Sequence, residues 1–245
     1  IDMNGAADVS GALTAGTING VGILADTTNF VDSILISQDA GTGTLSSANN
    51  NTGFGNEVFN ALTSGTGNTA VGASAGTAIT TGIRNTAIGH VALTANTTGS
   101  SNTAVGQEAL EALTTADNNV AIGRQALTAN TTGADNTAIG TNALDANTTA
   151  SNNTAVGKDS LGANTTGVGN SAVGKNSLAA NTTGTVNAAL GNSALAANTT
   201  GASNTGIGYN ALTANTTADN NTAVGSNALA ANTTGTENVA VGSTA

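Results

Sequence analysis

Asn136-Thr-Ala-Ile-Gly-Thr-Asn-Ala-Leu-Asp-Ala-Asn-Thr-Thr-Ala-Ser-Asn152 is one copy of a 17-residue unit that recurs along most of this chain without insertion or deletion. Its fifth residue falls at Gly55, Gly72, Gly89, Gly106, Gly123, Gly140, Gly157, Gly174, Gly191, Gly208, Gly225 and Gly242. Eleven full copies and one partial copy cover residues 51–245. A fixed period of this size is the mark of a solenoid. Each unit is too small to bury its apolar side alone and does so by stacking on its neighbours.

Numbering each copy from its first Asn separates the constrained columns from the free ones. Position 1 is Asn in all twelve copies, Asn102, Asn136, Asn153 and Asn170 among them, and position 5 is always Gly. Position 4 is always apolar: Phe54, Val71, Ile88, Val105, Ile122, Ile139, Val156, Val173, Leu190, Ile207, Val224 and Val241. Position 9 is Phe59, then Gly76, then Leu93, Leu110, Leu127, Leu144, Leu161, Leu178, Leu195, Leu212 and Leu229. Position 3 is Ala70, Ala87, Ala104, Ala121, Ala138, Ala155 and Ala172 in seven consecutive copies. Every charge in residues 51–245 falls at position 6, 7, 10, 16 or 17, the positions assigned to water.

A unit of 17 residues is too short for the helical-hairpin repeats of about 33 or 34 residues. Column 4 is β-branched in ten of twelve copies, which favours strand. The expected fold is therefore all-β, a parallel β-solenoid or β-roll of about twelve coils. Its first strand spans positions 2–4, the glycine at position 5 (Gly106, Gly140, Gly157, Gly174) opens a turn, and a second strand spans about 8–12. A Thr-Thr-Gly turn then returns the chain, and stacking at roughly 4.8 Å per coil makes a rod about 55–60 Å long.

In this reading the position-4 aliphatics and the position-9 leucines form two inward ridges. Asn at position 1, and at position 12 in eight copies, stacks as amide ladders. Strand alternation then turns position 3 outward, so its alanine column reads as a seam against another chain. The same assignment predicts that Val156→Asp breaks the local coil by placing a charge inside.

Residues 1–50 read as an N-terminal cap or collar, and 51–245 as the solenoid. Leu45–Asn50 matches positions 12–17, and Ser33-Ile-Leu-Ile-Ser37 resembles a first strand slightly out of register, so repeat-like structure is expected from near residue 32. Gly11–Gly16 and Gly20–Leu24 suit short strands. No signal peptide is visible at Ile1, no apolar run approaches the roughly 18 residues of a membrane span, and the last coil is partial, so the chain reads as an ordered fragment of a longer protein.

Composition narrows the function. The chain of 245 residues has a net charge of −10, four basic residues, one His, no Cys, no Pro and 2% aromatics. Disulfides and thiolate metal sites are excluded, and four bases cannot build a phosphate-binding stripe, so nucleic acid is not an expected partner. The lack of proline leaves every backbone N–H available to a ladder.

The Asn-Thr-Ala-Val-Gly strand followed by Ala-Leu and Asn-Thr-Thr-Gly resembles repeats of bacteriophage tail fibres and bacterial surface proteins. The strand is also similar to the head repeats of trimeric autotransporter adhesins, which form a left-handed parallel β-roll from a shorter unit. The resemblance covers residues 51–245. It implies an elongated homotrimeric fibre on a virion or cell surface, with any host receptor bound outside this region.

Other sites are weak in the sequence. His90, at position 6, has no serine and carboxylate partners in a distinctive pattern. Glu108 and Glu111 lie at variable positions, and Asp117-Asn-Asn and Asp219-Asn-Asn lack the periodicity of calcium-binding solenoids. No catalytic, cofactor or metal site is expected. Eight copies carry Asn-Thr-Thr, a glycosylation sequon, as at Asn96, Asn130 and Asn181. The leading function is a non-enzymatic attachment fibre. The alternatives are an ice-binding solenoid or a subunit of an extracellular filament, although adjacent Thr columns at positions 13 and 14 give only one clean row on a face.

Overall fold

A computed structural model describes residues 16–18, 21–27, 30–37 and 42–245. All regular structure among them is β. Three strands open the sheet: β1 (Gly16–Ile18), β2 (Val21–Thr27) and β3 (Phe30–Ser37), paired antiparallel with a register shift between Ala25 and Thr27. The segment expected from Gly11 to Ala15 lies outside the described residues. From β3 onward the sheet is parallel, continuing through β4 (Thr52–Phe54), β5 (Thr69–Val71) and one three-residue strand per coil to β15 (Val239–Val241). The result is a β-solenoid of about twelve turns.

The register shows how the repeat begins. Ile34, Leu35 and Ile36 pair with Thr52, Gly53 and Phe54, whereas each later strand pairs with residues 17 further on. The first coil thus carries one extra residue. Ser33 stands in the Asn column, where its Oγ accepts the Asn51 N–H at 2.7 Å.

Strand polarity is the reverse of the sequence expectation. Ala70, Ala87, Ala104, Ala121, Ala138, Ala155 and Ala172 are buried to 1% exposure or less and face the interior of the coil. Val71, Ile88, Ile122, Ile139, Val173 and Ile207 are exposed by 37–39%, and Val105, Val156 and Val224 are half-buried. Space decides this. In the first full coil, which holds Val58 and Phe59, position 3 shrinks to Gly53, where a Cβ would lie 2.7 Å from Leu35 Cδ1 and 2.9 Å from Val58 Cγ1. A Cβ on Gly206 would meet Leu195 Cγ at 3.2 Å. The strand is pressed against the position-9 side chains, so its inward residue is the smallest and its aliphatics turn out. The alanine column cannot serve as an inter-chain seam.

The expected second strand does not form either. Position 7 and position 9 have positive φ in every complete coil, as at Asn142 (φ 56) and Leu144 (φ 53). Positions 8 and 9 are both buried, as Ala143 and Leu144 are at 0%. An alternating strand cannot bury consecutive side chains. A left-handed residue costs roughly 1–2 kcal/mol for anything but glycine, and this geometry is worst for β-branched residues. Column 9 accordingly holds leucine, phenylalanine or glycine and never valine or isoleucine. Leu93, Leu110, Leu127, Leu144, Leu161, Leu178, Leu195 and Leu212 are fully buried, and Leu229 packs partly buried at the end of the cluster. Where coil 2 has Gly76 instead, Ile79 Cδ1 fills the gap, 3.0 Å from the position a Cβ would take.

Gly106, Gly140, Gly157 and Gly174 have φ between +131 and +140, and an added Cβ would lie within 2.6 Å of the next coil's glycine carbonyl. Both facts require glycine at position 5.

About a third of the buried side chains among the described residues are asparagines. The backbone N–H of each position-1 Asn donates to the side-chain Oδ1 of the Asn one coil earlier, at 2.9–3.1 Å from Asn68 to Asn238. The same side chains donate across the coil to the position-15 carbonyl, as Asn102 Nδ2 does to Ala116 at 2.8 Å and Asn170 Nδ2 to Gly184 at 2.8 Å. A second ladder runs through position 12 from Asn130 to Asn232 and reaches the same carbonyls, as Asn164 does at Gly167. Two amide columns therefore hold the return turn from both sides.

The second ladder has one fault. Asn96 Oδ1 is buried without a partner, because the residue stacked on it one coil later is Leu113. Leu113→Asn supplies a donor to Asn96 and an acceptor for Asn130, which offsets the lost apolar burial. We expect it to change stability by no more than about 1 kcal/mol, whereas Leu110→Asn, with no ladder to join, costs about 3 kcal/mol or more. Urea titrations of the two variants compare them, and equal losses would refute the ladder account.

Candidate functional surface

The coil presents a sheet face and two polar flanks to its surroundings. The sheet face is formed by positions 2 and 4, the outward residues of each strand. Position 2 is Thr in eight coils, and is Val120, Ser171, Ala188 and Val239 in the others. Among the described residues none of these threonine hydroxyls has a hydrogen-bond partner. The position-4 side chains beside them form an aliphatic ridge, with Phe54 at 59% and Leu190 at 51% as its most exposed members among complete coils. No charge falls on this face.

The position-13 threonines behave differently. Each hydroxyl donates to the position-13 carbonyl of the next coil, as Thr80 does to Thr97 and Thr182 to Thr199, both at 3.0 Å. They fasten coils together, and the exposed threonine row on that side is position 14 alone.

Charges occupy the corners. Glu108 accepts from Gln125 at 2.6 Å and Gln107 at 2.8 Å, and these hydrogen bonds hold its carboxyl below the ordinary range. Lys158 lies 2.6 Å from Asp159 and lowers that carboxyl in the same way, with Asn142 adding a bond at 3.1 Å. Asp145, at position 10, is the exception: partial burial raises its pKa, with Asp159 adding to the effect. An acid with a raised pKa destabilises the fold while ionised, and the cost fades as pH falls through the raised value towards the ordinary 3.8. Asp145→Thr, the residue of Thr94 and Thr128, is therefore expected to melt above wild type at pH 7 and level with it near pH 3. A gain that persists in acid would assign the effect to packing instead.

The remaining candidates have structural explanations. Asp117 Oδ1 accepts the Ser100 N–H at 2.6 Å, and Asp219 Oδ1 accepts the Ala202 N–H at 2.7 Å, so both carboxylates tie adjacent coils. Among the described residues no three His, Asp or Glu side chains gather as a metal site. His90 is exposed on its corner, and Glu111 lies half-buried. The sequon asparagines Asn96, Asn130 and Asn181 are fully buried, and each Nδ2 donates to the position-15 carbonyl three residues on. A glycan on that nitrogen is incompatible with the folded coil. No described helix is long and apolar enough to cross a membrane.

The absence of valine and isoleucine from column 9 was the readable sign that this stretch is not a strand. For strand polarity the only sign was the uniform smallness of column 3, which fits either side of a thin coil. Compared with known protein families, curated proteins and solved structures, the chain has no match.

Proposed function

We propose that this chain is the shaft of a non-enzymatic structural or attachment fibre, built from copies of itself as a homotrimer and displayed on a virion or cell surface. The observation that carries the reading is the unbroken stack of near-identical coils, locked by a buried amide ladder along its whole length. Such a stack supplies reach and stiffness, and its buried side chains are spent on holding the rod together. Receptor binding belongs elsewhere in the assembly. Light scattering after size exclusion tests the reading: about 70 kDa, three times the chain mass of 23.2 kDa, is expected. A mass of 23.2 kDa would sink the trimer.

The unspent position-2 hydroxyls favour a second reading. Beside the aliphatic ridge they make two regular ranks, about 7 Å apart across the strand and about 4.8 Å apart along the rod. Such a flat, uncharged array suits ordered water, which makes the chain an ice-binding solenoid if the face is free. Thermal hysteresis of the monomer tests this, and its absence removes the reading.

A further inference from the structure

The sheet face poses a packing question that the isolated chain leaves open. Its strands are three residues wide and stack for about 55 Å, a projected area of roughly 550 Å². Its aliphatic half, the column-4 ridge, is near the lower end of the apolar patches ordinary monomers carry, about 300–600 Å². The whole face is about two thirds of the roughly 800 Å² each partner gives to a standard interface. Charge permits the same face, as it does the position-14 threonine row. The chain is strongly acidic, and every charge of residues 51–245 sits on positions 6, 7, 10, 16 and 17. Two copies therefore repel through their corners and can meet without opposing charge through columns 2 and 4.

The residues in these columns also bear on orientation. Column 4 has one leucine, Leu190, and column 2 has one alanine, Ala188; both lie in coil 9. The aliphatic that stands furthest out of the ridge among complete coils, Leu190 at 51% exposure against 37–39% for Val71, Ile88, Ile122, Ile139, Val173 and Ile207, thus shares a level with the smallest residue of the neighbouring rank. Within one chain these side chains stand side by side on a strand, where neither needs the other's space. Across a rotation axis parallel to the rod, residues at one height meet, and a head-to-tail ring brings column 4 of one copy to column 2 of the next. Leu190 then seats over Ala188. An antiparallel pair that overlaps along the whole rod instead sets Leu190 at another level, where column 2 holds threonine, serine or valine. Phe54, in the first coil, stands beside Thr52 and lies outside this pairing.

We propose that the partner of the sheet face is a second copy of this chain, packed parallel and in axial register, with column 4 of each copy seated on column 2 of the next. The proposal rests on the fibre reading above and specifies its contact, replacing the alanine column that strand alternation alone suggested.

Cysteine trapping tests it, since the chain has no cysteine of its own. The Ser171→Cys/Val173→Cys variant places thiols in both columns of one coil, on exposed positions of the strand. In-register packing predicts covalent dimers and trimers after mild oxidation. Thr86→Cys/Val173→Cys, with its thiols five coils apart, should give none. Ala188→Leu should weaken association about tenfold or more, as over-packing a tight contact does, and adding Leu190→Ala should restore it. If wild type has a multiple of the chain mass yet only the mismatched cysteines cross-link, or neither pair does, this contact is overturned while self-assembly stands. If wild type is a monomer, both fail.

Discussion

Ala155→Asp is expected to unfold the coils that flank it, while Val156→Asp leaves them folded. Ala155 is completely buried, with Ala138 and Ala172 paired to it in the adjoining strands and no polar group in the column to receive a charge. An unpaired carboxylate there should cost more than about 4 kcal/mol, or force the strand out of the stack. Val156 lies one residue on and points outward, so a carboxylate in its place stays hydrated. Its cost should be within about 1 kcal/mol, mostly lost strand preference. Circular-dichroism melts and hydrogen exchange across coils 6–8 separate the two, and the opposite order would return the valines to the interior. Light scattering adds a second readout: if copies meet through the sheet face, Val156→Asp lowers the mass while the coil remains intact.

Asn187→Leu is expected to be damaging too, although leucine has as many side-chain heavy atoms as asparagine and is more apolar. The Asn187 side chain donates to the Gly201 carbonyl at 2.7 Å and to Asn170 Oδ1 at 3.2 Å. Its own Oδ1 accepts from the Asn204 backbone at 2.9 Å and from Asn204 Nδ2 at 3.2 Å. Leucine leaves the Asn204 N–H without a partner inside the rod and takes from the Gly201 carbonyl one of its two donors, the other being Asn198 Nδ2 at 2.9 Å. The stranded N–H costs about 1–3 kcal/mol and the lost carbonyl bond about 1 kcal/mol, so the sum is roughly 2–4 kcal/mol. The damage should be local, because coils touch only their nearest neighbours. Hydrogen exchange should rise in coils 8–10 and spare coils 2–5. A uniform loss of protection would show that the rod melts as one unit, and wild-type protection would show that the ladder contributes little.

These contrasts show where one-dimensional reading succeeds. The 17-residue period, the invariant Asn and Gly columns and the confinement of charge to a few positions are visible without coordinates. Identical units with no insertion can bury their apolar side only by stacking in register, so the parallel solenoid follows from the repeat itself. The glycine column was legible for the same reason: a residue that never varies among so many tolerant positions marks a backbone that admits no Cβ.

Alternation determines that columns 3 and 4 face opposite ways, but not which of them faces in. Hydropathy favours the larger aliphatic inside, and that choice fails here because the interior is already taken. The position-9 leucine enters from a left-handed turn, and two asparagine amides cross to the return carbonyl. Only methyl-sized space is left against the strand. That is a property of the closed coil, which no single column contains. From the sequence by itself come the repeat, its stacking and its ladder; the tertiary structure alone decides that alanine goes in, valine goes out, and seven of the eight sequon asparagines are sealed in the core.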